Sequence, residues 1–350
     1  MPAPMWTRPT VPIHSRRYLG AKTRLLDFLD SVMRAEVGPF ESFADLFAGT
    51  GVVAHHFNQP EVRVLAVDLL RLNEVALRTF LGITEVDETR LEGLFQTLEA
   101  LPIESERYFS AHYGERFFSR ADAQRLGAMR DQLQLWRSTD AISESEEALL
   151  LTSLLYAADR IAHTCGHYDA YRLGGERLTG VQLARPLIDL EANRGNQVWR
   201  GDANVLAAQV DAEVVYLDPP YNSRQYSDTY HLLENLICWE KPPVFGKAGK
   251  MNRKHLKSRY CSMVQAPRAL HELVSSLHCR VIAFSYNNMA GKGHVRSNAC
   301  LPDHTLREIL ATRGQVEVFE QPFQPFNAGK RQIEAHTERL FICRVNRRPQ

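Results

Sequence analysis

The chain has 350 residues, 44% of them hydrophobic and 24% charged, with a formal net charge of +1. This is an ordinary globular composition, long enough for one enlarged domain or a core carrying an insertion. No apolar run reaches the roughly 18 residues that a membrane span needs, and residues 1–17 are polar and Pro-rich, without the apolar stretch of a signal peptide, so a soluble cytoplasmic protein with no membrane partner is expected.

The predicted elements begin after Arg17-Tyr18-Leu19-Gly20-Ala21-Lys22. Leu25, Leu26, Leu29, Val32 and Met33 repeat at helical spacing and predict a helix over 25–37. Residues 42–47 read as a short buried strand that runs into Ala48-Gly49-Thr50-Gly51 and a helix start, Val52-Val53-Ala54. A second strand over 62–67 ends at Asp68, followed by a helix over 71–80. Residues 85–162 are helical in pattern, and the glycines and aromatics of 164–185 suggest a hairpin or loop. Strands then return at 198–200, 213–217, 281–285, 316–319 and 340–345, with a helix over 230–239.

Strands alternating with helices predict an α/β fold with a mostly parallel, doubly wound sheet. A mainly helical insertion over 85–195 would separate an N-terminal half, 1–84, from a C-terminal half, 196–350. Ligands of such sheets bind beyond the carboxyl ends of the strands. Gly49, Asp68, Asp202 and Asp218 all follow strand-like runs.

Asp45-Leu46-Phe47-Ala48-Gly49-Thr50-Gly51 is a glycine turn after a strand, where the backbone can bend sharply and a ligand can approach it. Asp68, at the end of the next strand, can accept both hydroxyls of a ribose. The glycines alone fit a structural turn as well, and with Asp68 they suit several nucleoside cofactors. The P-loop and three-glycine dinucleotide patterns are both missing, which favours a cofactor without a pyrophosphate. Val214-Val215-Tyr216-Leu217-Asp218-Pro219-Pro220-Tyr221 is more specific. Two prolines fix φ and remove two N–H donors, leaving carbonyls and a carboxylate as acceptors beside an aromatic face. A planar group bearing N–H donors, such as the amino edge of adenine, suits that arrangement.

The six cysteines form no C-x-x-C pair, and His163-Thr164-Cys165-Gly166-His167 lacks a second ligand cluster, so no metal is expected. Charge is unevenly spread. Between Lys241 and Pro302 the sole acid is Glu272, against Lys241, Lys247, Lys250, Arg253, Lys254, Lys257, Arg259, Arg268, Arg280, Lys292 and Arg296. Such a segment is either a solvated loop or a surface for a polyanion. The flanking motifs favour the polyanion.

Asp218-Pro219-Pro220-Tyr221 resembles the catalytic motif of amino-group DNA methyltransferases, and Phe47-Ala48-Gly49-Thr50-Gly51 resembles their cofactor motif. Tyr18-Leu19-Gly20-Ala21-Lys22 is similar to the N-terminal motif of the Dam-like DNA adenine methylases, although Ala21 stands where a second glycine is common. The order of these motifs, with a long insertion before the last, matches that group. The resemblance covers residues 17–80 and 196–345. It implies a seven-stranded Rossmann-like methyltransferase sheet, S-adenosylmethionine as cofactor and double-stranded DNA as partner, with a cognate restriction endonuclease encoded nearby as a second one.

The resemblance also implies roles. Phe47, Gly49 and Gly51 line the cofactor pocket, Asp68 binds the ribose, Asp202 accepts from the cofactor's adenine amino group, and Tyr18 and Lys22 hold the methionine end. Asp218 and the Pro219 carbonyl accept from the target amino group, within the rigid turn that Pro220 completes, and Tyr221 stacks on the target base. Lys247, Lys250, Arg253, Lys254, Lys257 and Arg259, in the basic loop 241–260, are expected to grip DNA phosphates. Residues 222–226 are candidates for the flipped nucleotide or its gap, and His167, Tyr168, Tyr171 and Arg172 for exposed sequence readout. RNA adenine methylation, cytosine N4 methylation and an inactive nucleic-acid-binding module remain the alternatives.

Overall fold

A computed structural model describes residues 8–103, 107–288, 300–322 and 337–346. Residues 1–7, Lys292 and Arg296 lie outside the described residues. The chain divides into two compact units: one from the described parts of Met1–Ala21, Leu70–Arg194 and Ser227–Arg253, the other from those of Lys22–Leu69, Gly195–Tyr226 and Lys254–Gln350.

The second unit holds the sheet. Its strands, among the described residues, are β1 (Ser42–Asp45), β2 (Arg63–Asp68), β3 (Gln197–Arg200), β4 (Val214–Leu217), β5 (Val281–Asn287), β6 (Gly314–Pro322) and β7 (Thr337–Val345). They lie in the order β6-β7-β5-β4-β1-β2-β3. The five strands from β5 to β3 are parallel, and β7 pairs antiparallel with both β5 and β6. This is the seven-stranded, mostly parallel Rossmann-like sheet that the sequence led us to expect. Every residue of β1 and β4 is buried, as expected of central strands covered on both faces; β4 is apolar throughout, whereas β1 carries Ser42 and Asp45 at its ends. Leu270, Leu273 and Val274 of the helix Ala266–Ser276, and Leu306 and Leu310 of Asp303–Ala311, pack on Val215, Leu217, Ile282 and Phe284.

The chain runs outward from β1 to β2 and β3, then returns to lay β4 on the other side of β1. The order therefore reverses between β1 and β4, the place where parallel sheets open a crevice at their carboxyl ends. Register puts Asp45 opposite Tyr216, so the glycine turn and the Asp218 motif leave the same edge of the sheet side by side.

The first unit is helical and takes in more of the chain than 85–195. Three of its helices start with side-chain caps: Asp87 for Glu88–Glu99, Ser119 for Arg120–Ser138, and Ser143 with Glu146 for Glu144–Ile161. Two buried charged groups explain why Ser227–Arg253 belongs here. Glu234 accepts from the N–H groups of Arg71 and Leu72, both at 2.9 Å, capping the helix Arg71–Leu77. Arg130 donates to the carbonyls of Leu236 and Ile237, both at 3.1 Å, closing the end of His231–Cys238. Among the described residues no helix is long and apolar enough to cross a membrane.

Candidate active site

The turn after β1 depends on its glycines. Gly49 and Gly51 have φ of +55° and +82°, which β-carbon-bearing residues adopt at a cost. Gly49 N–H donates to Asp68 Oδ2 at 2.9 Å, locking the turn to the end of β2. The helix Val52–His56 follows directly.

Three carboxylates stand at the ends of three neighbouring strands: Asp68 on β2, Asp45 on β1 and Asp218 just past β4. Burial lifts the Asp45 carboxyl well above the usual range, and the charges of Asp218 and Asp68 lift it further. Lys22, only 4% exposed, answers this acidity. Its Nζ lies 2.8 Å from Asp218 Oδ1 and 2.7 Å from Oδ2. The same ammonium donates to the Tyr221 hydroxyl and sits 4.7 Å from the centre of that ring. Tyr221 in turn donates to Asp218 Oδ1 at 2.6 Å. Burial and the Asp218 carboxylate push the Tyr221 hydroxyl well above its ordinary pKa, which keeps it a donor.

Asp218 therefore collects donors from two side chains of its own unit. Lys22 lies on the carboxylate of the Asp-Pro-Pro-Tyr motif, whereas the sequence placed it only toward a cofactor. Tyr221 is half buried, edge-on to Tyr286 with ring centres 5.0 Å apart. Pro219 and Pro220 link Asp218 to Tyr221 outside any helix or strand. Asp202 is exposed and caps the helix Ala203–Leu206 by accepting from Asn204 N–H at 2.8 Å. Phe47 is partly buried against Tyr260, whose ring lies edge-on at 5.1 Å and whose hydroxyl bonds Asn204 Oδ1 at 3.0 Å. In the helical unit, Tyr18 stacks on Tyr230 with ring centres 4.5 Å apart and accepts from Asn73 Nδ2 at 3.0 Å.

Sequence reading passed over Tyr260 and Glu338. Glu338 is the second residue of β7, and antiparallel pairing carries it to the carboxyl edge beside Asn287. Its Oε2 is buried without a hydrogen-bond partner, and burial pushes its carboxyl up to about 7. Nothing local marks it, since its position comes from strand pairing. Asp45 was visible inside the glycine motif but drew no role.

Three cations of the basic segment pair with acids of the protein. Lys250 pairs with Asp169 at 2.6 Å, Arg253 with Asp228 at 2.7 Å and Arg259 with Glu272 at 2.7 Å. Lys247, Lys254 and Lys257 are exposed. Tyr168 is not an exposed reader: it is 1% exposed, packs on Phe117 and donates to Asp159 at 2.8 Å. His167 and Tyr171 are half buried, and Arg172 is exposed.

Residues 18–287 match the family described as D12 class N6 adenine-specific DNA methyltransferase. The chain is 30% identical over 330 residues to the type II methyltransferase M.NlaIII of Neisseria lactamica, covering 91% of this chain and 95% of that one. It is 29% identical over 347 residues to the type II methyltransferase M.FokI of Planomicrobium okeanokoites, covering 93% of this chain and 52% of that one. Over 287 residues it is 31% identical to the modification methylase StsI of Streptococcus sanguinis, covering 78% and 44%. The chain thus spans nearly the whole of the first relative and about half of the other two. Family membership carries a methyl donor and DNA as the methyl acceptor. From the glycine turn, the Asp-Pro-Pro-Tyr corner and these matches together, the chain belongs to the D12 class of N6 adenine-specific DNA methyltransferases.

Proposed function

We propose that the chain moves the methyl group of S-adenosylmethionine to the N6 amino group of an adenine turned out of duplex DNA. The carrying observation is Asp218, which holds two donors at the mouth of the β1–β4 crevice. A carboxylate that gathers an ammonium and a hydroxyl suits the two N–H groups of an adenine amine.

The residues also fit the proposed cofactor. Asp45, Asp68 and Asp218 with Lys22 make an acceptor-rich, acidic corner, which suits a cationic sulfonium, its ammonium group and a ribose. Gly49 and Gly51 let that group approach the backbone, Phe47 and Asp202 face its nucleoside, and Lys22 offers a cation to its carboxylate. When bound, S-adenosylmethionine supplies a methyl group already activated on positive sulfur.

Asp218 and the Pro219 carbonyl accept the two amino hydrogens, which localises a lone pair otherwise delocalised into the ring. In this reading the Tyr221 hydroxyl gives up Oδ1 to the incoming amine, and that movement frees the Tyr221 ring to stack on the base. Stacking contributes about 1–3 kcal/mol per base, against a flipping cost of a few kcal/mol. Asp218 stabilises the positive charge that grows on nitrogen and is the nearest base for its proton. Orientation supplies much of the remaining rate gain.

The names of the relatives, type II methyltransferase and modification methylase, favour a modification enzyme; its place in the cytoplasm and a cognate restriction endonuclease encoded nearby are part of the same proposal. The helical unit is the proposed reader of sequence. The decisive experiment offers labelled S-adenosylmethionine to duplex DNA, RNA and protein in parallel and digests the products to nucleosides or amino acids. Label in N6-methyldeoxyadenosine, from duplex alone, is the expected result. Label in N4-methylcytosine, in RNA or in protein overturns it.

A further inference from the structure

Met263 and Val264 stand at the tip of a turn just before the helix Ala266–Ser276, 62% and 88% exposed. The turn is ordered. Gln265 and Ala266 N–H both donate to Ser262 O, at 3.1 and 2.8 Å, and a proline opens the helix. Single exposed apolar residues are ordinary; two adjacent ones on a fixed turn beside an active site are a pattern that marks contact.

Topology puts this turn at the site. The helix leads to β5, whose first residue Val281 lies opposite Val214 at the amino edge of the sheet, so the helix begins at the carboxyl edge. The preceding segment is tied to the Asp218 motif: Gln225 exchanges two hydrogen bonds with the Ser258 backbone, at 3.1 and 2.8 Å, and Cys261 Sγ bonds Arg224 O at 3.4 Å. Tyr260 meets Phe47 there. Lys257 is exposed beside the turn, and Arg259 and Arg268 share a single acid, Glu272, so the apolar tip rises from a base of net positive charge.

We infer that Met263 and Val264 form a wedge that enters the duplex beside the target and fills the space its adenine leaves. The inference rests on the proposed function and extends it. Apolar side chains inserted between base steps unstack them, while the surrounding cations hold phosphates. Gln225 is committed to Ser258 and Tyr226 is partly buried, while the exposed Asn222, Ser223 and Arg224 carry no apolar side chain, so the gap falls to the apolar pair.

The test uses the full chain with Met263→Ala and Val264→Ala combined. The substrate is a duplex oligonucleotide carrying the methylated sequence, with 2-aminopurine replacing the target adenine for the fluorescence arm. A second duplex lacks the base opposite the target, which lowers the cost of flipping. On the intact duplex the variant should lose the fluorescence rise and methylate on the order of tenfold slower in a single turnover. On the abasic duplex the rate should return to within about twofold of wild type, because the unpaired base leaves the stack unaided. Unchanged S-adenosylhomocysteine affinity and thermal midpoint show that the fold is intact. A variant equal to wild type on the intact duplex, or equally slowed on both, overturns the wedge. A wild-type chain that makes no N6-methyladenine in duplex DNA overturns the parent reading, and the wedge with it.

Discussion

The corner around Asp218 and the basic segment 247–259 were both conspicuous in the sequence, yet they fold to different ends. At the corner, residues far apart in the chain meet: Lys22 and Asp218 lie within 2.8 Å, and Asp45 and Asp68 end the neighbouring strands. In the basic segment, several of the expected phosphate ligands face acids of the protein itself, as Lys250 faces Asp169, Arg253 faces Asp228 and Arg259 faces Glu272. A strand-end motif has its surroundings imposed by the sheet. A run of like charge has no such constraint, and each cation takes whatever acid the fold brings near it.

That contrast can be broken most sharply at Asp218. Asp218→Ala should slow single-turnover methyl transfer on the order of 10³-fold, since it removes the acceptor for the amine and the anion facing its developing charge. Calorimetry should still detect S-adenosylhomocysteine binding, with Lys22 released from its partner. Near-native turnover would refute the mechanism.

Lys22→Met should come next. It leaves the Asp218 carboxylate without its cation in a site that is 15% exposed, and loss of one partner of a buried pair costs about 3–5 kcal/mol. Urea unfolding measures this directly, and a change within experimental error would mean that the pair is dispensable.

Glu338 gives a pH-dependent prediction. Its carboxyl sits at about 7 in the folded chain against 4.5 as a free side chain. Between those values the native state holds a proton that the unfolded state has released, so its contribution makes stability fall as pH rises through that window. Glu338→Gln should remove that fall, by at most about 3 kcal/mol. Lys22, Asp218 and Arg339 all act on this group, so comparison with Lys22→Met separates its own titration from theirs. Denaturant midpoints at pH 5 and pH 8 make the measurement.

The smallest effect sharpens the other side of the contrast. Lys247→Ala with Lys257→Ala should lower the slope of log affinity for duplex DNA against log salt by about 2, near 0.9 for each lost phosphate contact. Arg253→Ala, whose guanidinium is already held by Asp228, should leave the slope unchanged and lower the thermal midpoint instead.

Much of the fold was legible because strands buried on both faces need apolar centres, with polar residues confined to their ends. Residues 42–47, 62–67 and 213–217 each marked a strand that formed, as Ser42–Asp45, Arg63–Asp68 and Val214–Leu217. The helices expected over 25–37 and 71–80 end in wider turns at Met33–Val37 and Arg78–Gly82. Tyr168 misled, because an aromatic in a glycine-rich stretch reads as exposed until its partner Asp159 is known.

By itself the sequence determined the chemistry available at each strand end: glycines where φ must be positive, and a carboxylate and prolines where acceptors must be rigid. Those are local demands, met by residues adjacent in the chain. Tertiary structure decided what no local pattern encodes. The reversal of strand order set β4 against β1, an antiparallel strand brought Glu338 to the carboxyl edge, and the fold chose which lysines and arginines met an acid. Contacts between distant residues depend on the packing of the whole chain, and that packing sets which charges stay available to a ligand.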